Sequence, residues 1–216
     1  MIHSVPLDST SSVWLSEPYQ PRPALTGRHT CDVAVLGGGI VGVSTAYFLV
    51  RSGVQRVFLL DGQDIASGAT GRNAGFLSSE IAVEYERWCV DEQQRSLARR
   101  ILHIGQRNRA LVRDLIACHG ISCNQEQGGI VFGVFDAQGL EAAERSHRAL
   151  REDGCPAEWL SDTDMRKLYP HAQGLQGGYL LTDHGTLHPA EYVRGLASVT
   201  EEGGARIYEH SPVQSL

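Results

Sequence analysis

The sequence contains no CxxC pair, and its five cysteines (Cys31, Cys89, Cys118, Cys123 and Cys155) are odd in number. Those two absences argue against a disulfide framework and a cysteine zinc site, and favour reduced thiols in a cytoplasmic protein. The histidines, His171 and His184 among them, show no metal-ligand spacing, so no metal is expected. Positive charge is also scarce: 19 Lys and Arg against 25 Asp and Glu give a net charge of −6, which disfavours a general nucleic-acid binder. Ahead of Asp32 no basic segment followed by an apolar stretch marks an exported protein. Instead, prolines at positions 6, 18, 21 and 23 suggest an irregular N-terminal arm over residues 1–30. No internal repeat is evident, and Ser44 and Thr45 lack the GxSxG context of a serine hydrolase. What is present is an ordinary globular composition, 42% apolar and 20% charged, in a chain long enough to bury a substantial core.

One long uncharged run exists. Val33 to Val50 lies between Asp32 and Arg51 in DVAVLGGGIVGVSTAYFLVR, and Gly38 and Gly42 supply the GxxxG spacing of helix pairing in lipid. Three adjacent glycines at 37–39 speak against a membrane span, since each costs roughly 1 kcal/mol relative to alanine inside a helix. They read better as a turn between a strand, Asp32 to Leu36, and a helix, Ile40 to Val50, with the uncharged residues buried in a parallel-sheet layer. Gln55 to Asp61 (QRVFLLD) is then a second strand, and strand, helix, strand makes a βαβ unit with a parallel sheet.

Residues 62–79 are rich in Gly, Ala and Ser and too irregular for either regular element. From about 86 to 118 the pattern is helical, with Leu97, Ile101, Ile104, Leu111 and Leu115 expected to line one face. Arg95, Arg99, Arg100, Arg107, Arg109 and Arg113 on this helix read as a solvated face rather than a phosphate-binding stripe, because no aromatic residues interleave. Further on, 128–135 reads as a buried strand and 140–152 as an amphipathic helix. Ser161 with Asp164 opens a short helix that stops at Pro170. Residues 178–181 form a strand, Pro189 starts a helix to about Glu202, and 205–210 alternate as a strand.

Gly37, Gly39 and Gly42 satisfy GxGxxG directly after a strand and at the opening of a helix. In that setting the first glycine permits the tight turn, the second lets backbone approach a pyrophosphate, and the third lets helix pack on strand. The helix N-terminus offers unpaired N–H groups to the phosphates. Asp61, 24 residues after Gly37, ends the second strand where a carboxylate can accept hydrogen bonds from a ribose. Together these features point to a dinucleotide site.

The segments GGGIVG, Asp61 and GATGRNAGFL resemble the N-terminal half of the D-amino-acid oxidase, glycine oxidase and sarcosine oxidase family of flavoproteins. GGIVFG at 128–133, the stretch 168–197 and GGARIYEHSPV at 203–213 continue the likeness, which is most similar to the family's γ-glutamylputrescine oxidoreductase type. The resemblance implies FAD as cofactor, with Gly37, Gly39, Ile40 and Gly42 on the ADP moiety and Asp61 on the adenosine ribose. It places Ala69, Thr70, Arg72, Asn73, Ala74 and Gly75 along the pyrophosphate and isoalloxazine, and the Val213 backbone against the adenine. The implied fold is α/β: a Rossmann-like FAD-binding domain plus part of an α+β substrate domain, incomplete. The implied divisions are the arm (1–30), the first part of the FAD domain (31–125), the start of the substrate domain (126–185) and a return to the FAD domain (186–216).

The implied activity is oxidation of a primary or secondary amine or amino acid to an imine, by hydride transfer to flavin N5, with oxygen or another acceptor reoxidising the flavin. Catalytic residues are not identified; His188 reads as a capping or packing residue rather than a base. Members of the family are substantially longer, so the chain is expected to be an N-terminal fragment that binds FAD poorly and is inactive alone. Two other readings remain open: an NAD(P)-dependent dehydrogenase with the same fingerprint, and a noncatalytic nucleotide-binding module.

Overall fold

The computed structural model describes residues 12–215. In chain order the elements are β1 (Val33–Leu36), α1 (Ile40–Arg51), β2 (Val57–Leu60), β3 (Phe76–Leu77), α2 (Glu92–His119), β4 (Ile130–Val134), α3 (Ala137–Glu152), β5 (Ala157–Ser161), α4 (Asp162–Leu168), β6 (Gly177–Leu181), β7 (Gly185–Thr186), α5 (Pro189–Glu202) and β8 (Arg206–Tyr208). The described residues form two compact units, one of residues 12–75, 115–124 and 188–215, the other of residues 76–114 and 125–187.

The first unit is α/β. Its parallel sheet has the order β1, β2, β8, with Val35 opposite Leu59 and Leu59 opposite Ile207. Leu59 on the central strand is fully buried, as are Val43 and Ala46 of α1 and Leu196 and Ala197 of α5. The expected strand, turn and helix within the uncharged run are all present, and among the described residues no helix is long and apolar enough to cross a membrane. Burial of the run is only partial, which corrects the expectation. Among described residues β1 pairs with β2 alone, and Leu36, Val41 and Phe48 are exposed.

Local chemistry sets the ends of α5. His188 is its N-cap, its Nδ1 accepting the Glu191 N–H at 3.2 Å; Pro189 occupies the first turn, and Gly203 closes the helix. His188 is thus a capping residue, and its ring also meets Trp14 edge-on at 4.9 Å. Within the arm, residues 12–30 hold one short 3₁₀ turn, Val13–Leu15; residues 1–11 of that expectation lie outside the described residues.

The second unit is α+β, built on an antiparallel sheet ordered β4, β6, β5, beside the two-stranded β3–β7 pair. Its core gathers Tyr85, Ala98, Leu102, Leu150, Tyr179 and Leu181, with Phe132 stacked on Tyr179 at 5.4 Å. α4 opens on a full capping box, Ser161 accepting from the Asp164 N–H while the Asp164 side chain accepts from Ser161.

Three expectations change here. Residues 76–114, expected with the nucleotide-binding part, belong to the second unit because Ala98 and Leu102 of α2 enter its core. The apolar face expected on α2 is turned outward: Leu97 is 50% and Ile104 65% exposed, Ile101 and Leu111 are exposed, and of that set only Leu115 is buried. The arginines explain the turn. Arg95 pairs with Asp153 at 3.0 Å, and Arg109 and Arg113 bond Asp183, so carboxylates distant in sequence draw charged positions inward that were expected to be solvated. Within 62–79, expected to be irregular throughout, the chain forms a 3₁₀ turn at Ala69–Gly71 and then β3; β5 and β7 were not foreseen either.

Candidate functional site

In the first unit the segment between β1 and α1 is shaped by glycine. Gly37 has φ +104°, a left-handed conformation that L side chains rarely adopt, and its N–H donates to Leu60 O at 2.8 Å. A Cβ on Gly42 would lie 1.8 Å from the Gly37 carbonyl oxygen, so helix and turn can approach this closely only with glycine there. A Cβ on Gly39 would lie 3.1 Å from Thr70 Oγ1. Gly39 is the N-cap of α1 and has no side chain to cap it; the Ile40 N–H donates to Thr70 Oγ1 at 3.0 Å. The first turn of the helix thus meets the 69–75 loop.

Asp61 follows β2 and is half-buried. Its Oδ2 accepts the Gly38 N–H at 2.5 Å and its Oδ1 the Gln63 N–H at 2.7 Å. Each carboxylate oxygen can accept a second hydrogen bond, so Asp61 is oriented by backbone and still able to receive ribose hydroxyls. The Asp61 carbonyl accepts the Ser211 N–H at 2.7 Å, and Pro212 lies against Gly62, which puts the half-exposed Val213 one residue beyond that contact.

The loop 69–75 is tied mainly to itself. Asn73 Nδ2 donates to Thr70 O at 2.6 Å, Asn73 Oδ1 accepts the Gly75 N–H at 2.8 Å, and Arg72 Nε donates to Ser67 O at 3.0 Å. From outside, the Trp14 indole N–H donates to Asn73 O at 2.6 Å, and Leu15 packs so closely that a Cβ on Gly71 would lie 2.8 Å from its Cδ2. Ala69, Thr70, Arg72, Asn73, Ala74 and Gly75 therefore lie on one continuous loop, joined to the helix N-terminus through Thr70.

These residues fit a dinucleotide. The glycine turn is a cradle that side chains would fill, α1 presents its N-terminal end there, and an oriented carboxylate stands at the end of β2. Sequence reasoning missed Gly38, although it lies inside the fingerprint. A Cβ at Gly38 would lie 2.3 Å from Ile65 Cδ1 and 3.1 Å from Asp61 Oδ2. It also missed Trp14, for which no local pattern gave a signal.

The second unit holds a different polar cluster. Arg109 is 1% exposed and bonds Asp183; His184, fully buried, sets its Nδ1 2.8 Å from the other carboxylate oxygen. Burial works to raise the Asp183 carboxyl, but the hydrogen bonds from His184 and Arg109 outweigh it and hold the group at about 2. Burial first, and then the Asp183 charge, push the Cys155 thiol up to about 11. No group of side chains among the described residues could hold a metal ion.

The family model DAO, FAD dependent oxidoreductase, matches residues 32–216. The chain is 30% identical to gamma-glutamylputrescine oxidoreductase of Escherichia coli (strain K12), over 97% of this chain and 49% of that protein. It is 26% identical to glycine oxidase of Bacillus licheniformis, over 88% of this chain and 48% of that one. Among solved structures, glycine oxidase from Bacillus cereus ATCC 14579 shares the fold with a TM-score of 0.66 at 23% identity, covering 87% of this chain and 48% of that chain. L-amino acid deaminase from Proteus myxofaciens does so with a TM-score of 0.69 at 20% identity, covering 89% and 40%. The chain thus spans about half the length of the curated relatives named here.

Proposed function

The chain belongs to the DAO family of FAD-dependent oxidoreductases, and on that premise we propose that its first unit holds the ADP half of FAD in an enzyme that oxidises a small amine or amino acid. The observation that carries this reading is the glycine turn with Asp61 beside it: a backbone without side chains at the N-terminus of α1, and a carboxylate fixed 2.5 Å from the Gly38 nitrogen. On this reading Gly37, Gly39, Ile40 and Gly42 receive the diphosphate, Asp61 receives the ribose, and the Val213 backbone faces the adenine. Thr70 and Asn73 keep the 69–75 loop in place, so that Ala69, Arg72, Ala74 and Gly75 run along the diphosphate and flavin.

FAD bound there would supply a two-electron acceptor for a hydride from the carbon next to the substrate nitrogen, with oxygen or another acceptor taking up the electrons. The chain's own contribution is orientation. The turn and Asp61 are already held by hydrogen bonds within the unit, so little ordering of them remains to be done on binding. The names of the relatives, which mention γ-glutamylputrescine and glycine, support the substrate class of small amines and amino acids.

Competition tests this reading against a nicotinamide cofactor. ADP is expected to displace a fluorescent adenine nucleotide from the purified chain and FAD to do so weakly, as expected of the fragment, with NAD and NADP no better than FAD. Stronger displacement by NAD or NADP than by FAD overturns the flavin assignment.

A further inference from the structure

Glu209 is fully buried, directly after β8, and the fingerprint gives it no part. Three donors converge on its carboxylate. The Tyr19 hydroxyl, with one proton to share, lies 2.9 and 2.8 Å from its two oxygens, and the Arg22 backbone N–H donates to Oε2 at 2.6 Å. The third, from the Ile65 N–H to Oε1, measures 2.5 Å. Arg22 adds its charge at 3.7 Å and is itself held by Glu201 at 2.6 Å.

This arrangement acts on the loop after β2. The Ile65 peptide is gripped from both sides, its N–H by Glu209 and its carbonyl by Arg194 Nε at 3.3 Å; the Arg194 guanidinium lies over the Tyr19 ring, 3.8 Å from its centroid. The next residue, Ala66, donates its N–H to Gly38 O at 3.0 Å, and the Gly38 N–H donates to Asp61. A chain of bonds therefore runs from the buried carboxylate through Ile65, Ala66 and Gly38 to the carboxylate at the end of β2. Ala66, along it, is left-handed at φ 68°, as is His210, the residue after Glu209, at φ 50°. Side chains resist that conformation, so it persists where surrounding bonds impose it. Burial and the bond to Glu209 raise the pKa of the Tyr19 hydroxyl, which stays a donor.

We propose that Glu209 is a positioning residue for nucleotide binding: held by Tyr19 and Arg22 of the N-terminal arm, it sets the 61–66 loop and thereby holds the Gly38 turn and, through the Gly38 N–H, aims Asp61 at the ribose. The proposal rests on the nucleotide-binding reading of the first unit. On it the arm forms part of the site without touching the ligand. Tyr19 and Arg22 reach Glu209 across 190 and 187 positions of sequence, so the arm keeps a turn that local sequence does not specify.

The test uses the full chain and ADP. Glu209→Ala is expected to weaken ADP binding about tenfold or more, Tyr19→Phe by about threefold, and Glu209→Gln to recover part of the loss because its oxygen still accepts from Ile65. Leu150→Ala, in the core of the second unit, is the control: it lowers stability and leaves ADP affinity within about twofold of wild type. Wild-type affinity in a folded Glu209→Ala overturns the proposal. If Glu209→Ala does not fold, Glu209→Gln and Tyr19→Phe decide in the same way.

The Gly38 amide gives a second reading that needs no ligand. In ¹⁵N-labelled chain its resonance is expected to move and its hydrogen exchange to quicken in Glu209→Gln, although Glu209 does not bond Gly38; an unchanged Gly38 amide overturns the proposal. Should wild type not bind ADP at all, the nucleotide-binding reading fails, and the positioning of Gly38 by Glu209 stands or falls on this measurement.

Discussion

The candidate site of the first unit and the Arg–Asp cluster of the second hold polar groups in opposite ways. In the first, the candidate site is made mostly of backbone: glycines at 37, 38, 39 and 42, a helix N-terminus, and a carboxylate gripped by peptide N–H groups. In the second, long side chains do the holding, with Arg95 on Asp153 and Arg109 on Asp183. A backbone site depends on positions where any side chain collides, whereas a side-chain cluster depends on opposite charges staying matched. The first therefore fails by steric exclusion and the second by leaving a buried charge unpaired.

The largest effect is expected at Gly42. With a Cβ placed 1.8 Å from a backbone oxygen, Gly42→Val forces β1 and α1 apart, and about 3 kcal/mol or more of stability is lost together with measurable ADP binding. Thermal unfolding and an ADP titration check both losses; a variant as stable as wild type contradicts the packing account.

Arg109→Met should come next and should act on the other unit. It strands Asp183 and His184 in a buried setting, at a cost of about 3–5 kcal/mol by urea unfolding, while ADP affinity stays near wild type in the folded protein. A drop in ADP affinity that matches the drop in stability breaks the comparison, because the two units then do not fail separately.

The smallest effect is the acid response of the same pair. Because the folded Asp183 carboxyl is held at about 2, below its ordinary 3.8, its contribution to stability is complete above about pH 4 and is lost as pH falls towards 2. The direction at Asp153 is the same: burial works upward, and the bonds from Arg95 and Arg99 prevail and lower it. Unfolding free energy followed from pH 5 to pH 2 should fall more steeply in wild type than in Arg109→Met, and parallel curves contradict the assignment.

The same contrast explains what the sequence reveals. The fingerprint is legible because its glycines sit at fixed offsets within one strand, turn and helix, where Gly37 takes a left-handed φ and a Cβ at Gly42 would strike the backbone. The caps of α4 and α5 are legible for the same local reason, Ser161 with Asp164 and His188 ahead of Pro189. What could not be read joins distant positions. Trp14 meets Asn73 across 59 positions, Arg109 meets Asp183 across 74, and Ile65 meets Glu209 across 144. The outward turn of α2 belongs with these. Its apolar spacing is genuine, but the inward pull on Arg95 and Arg109 comes from carboxylates beyond the helix, and hydrophobic periodicity carries no record of them.

The central claim is that the glycine turn and Asp61 together receive an adenine dinucleotide. Its most direct measurement is an ADP titration of ¹⁵N-labelled chain, repeated with Asp61→Asn. The account predicts that the Gly39, Ile40 and Val41 amides shift on binding, and that Asp61→Asn weakens binding about tenfold while the protein stays folded. Shifts confined to residues outside the first unit, or wild-type affinity in Asp61→Asn, would contradict it.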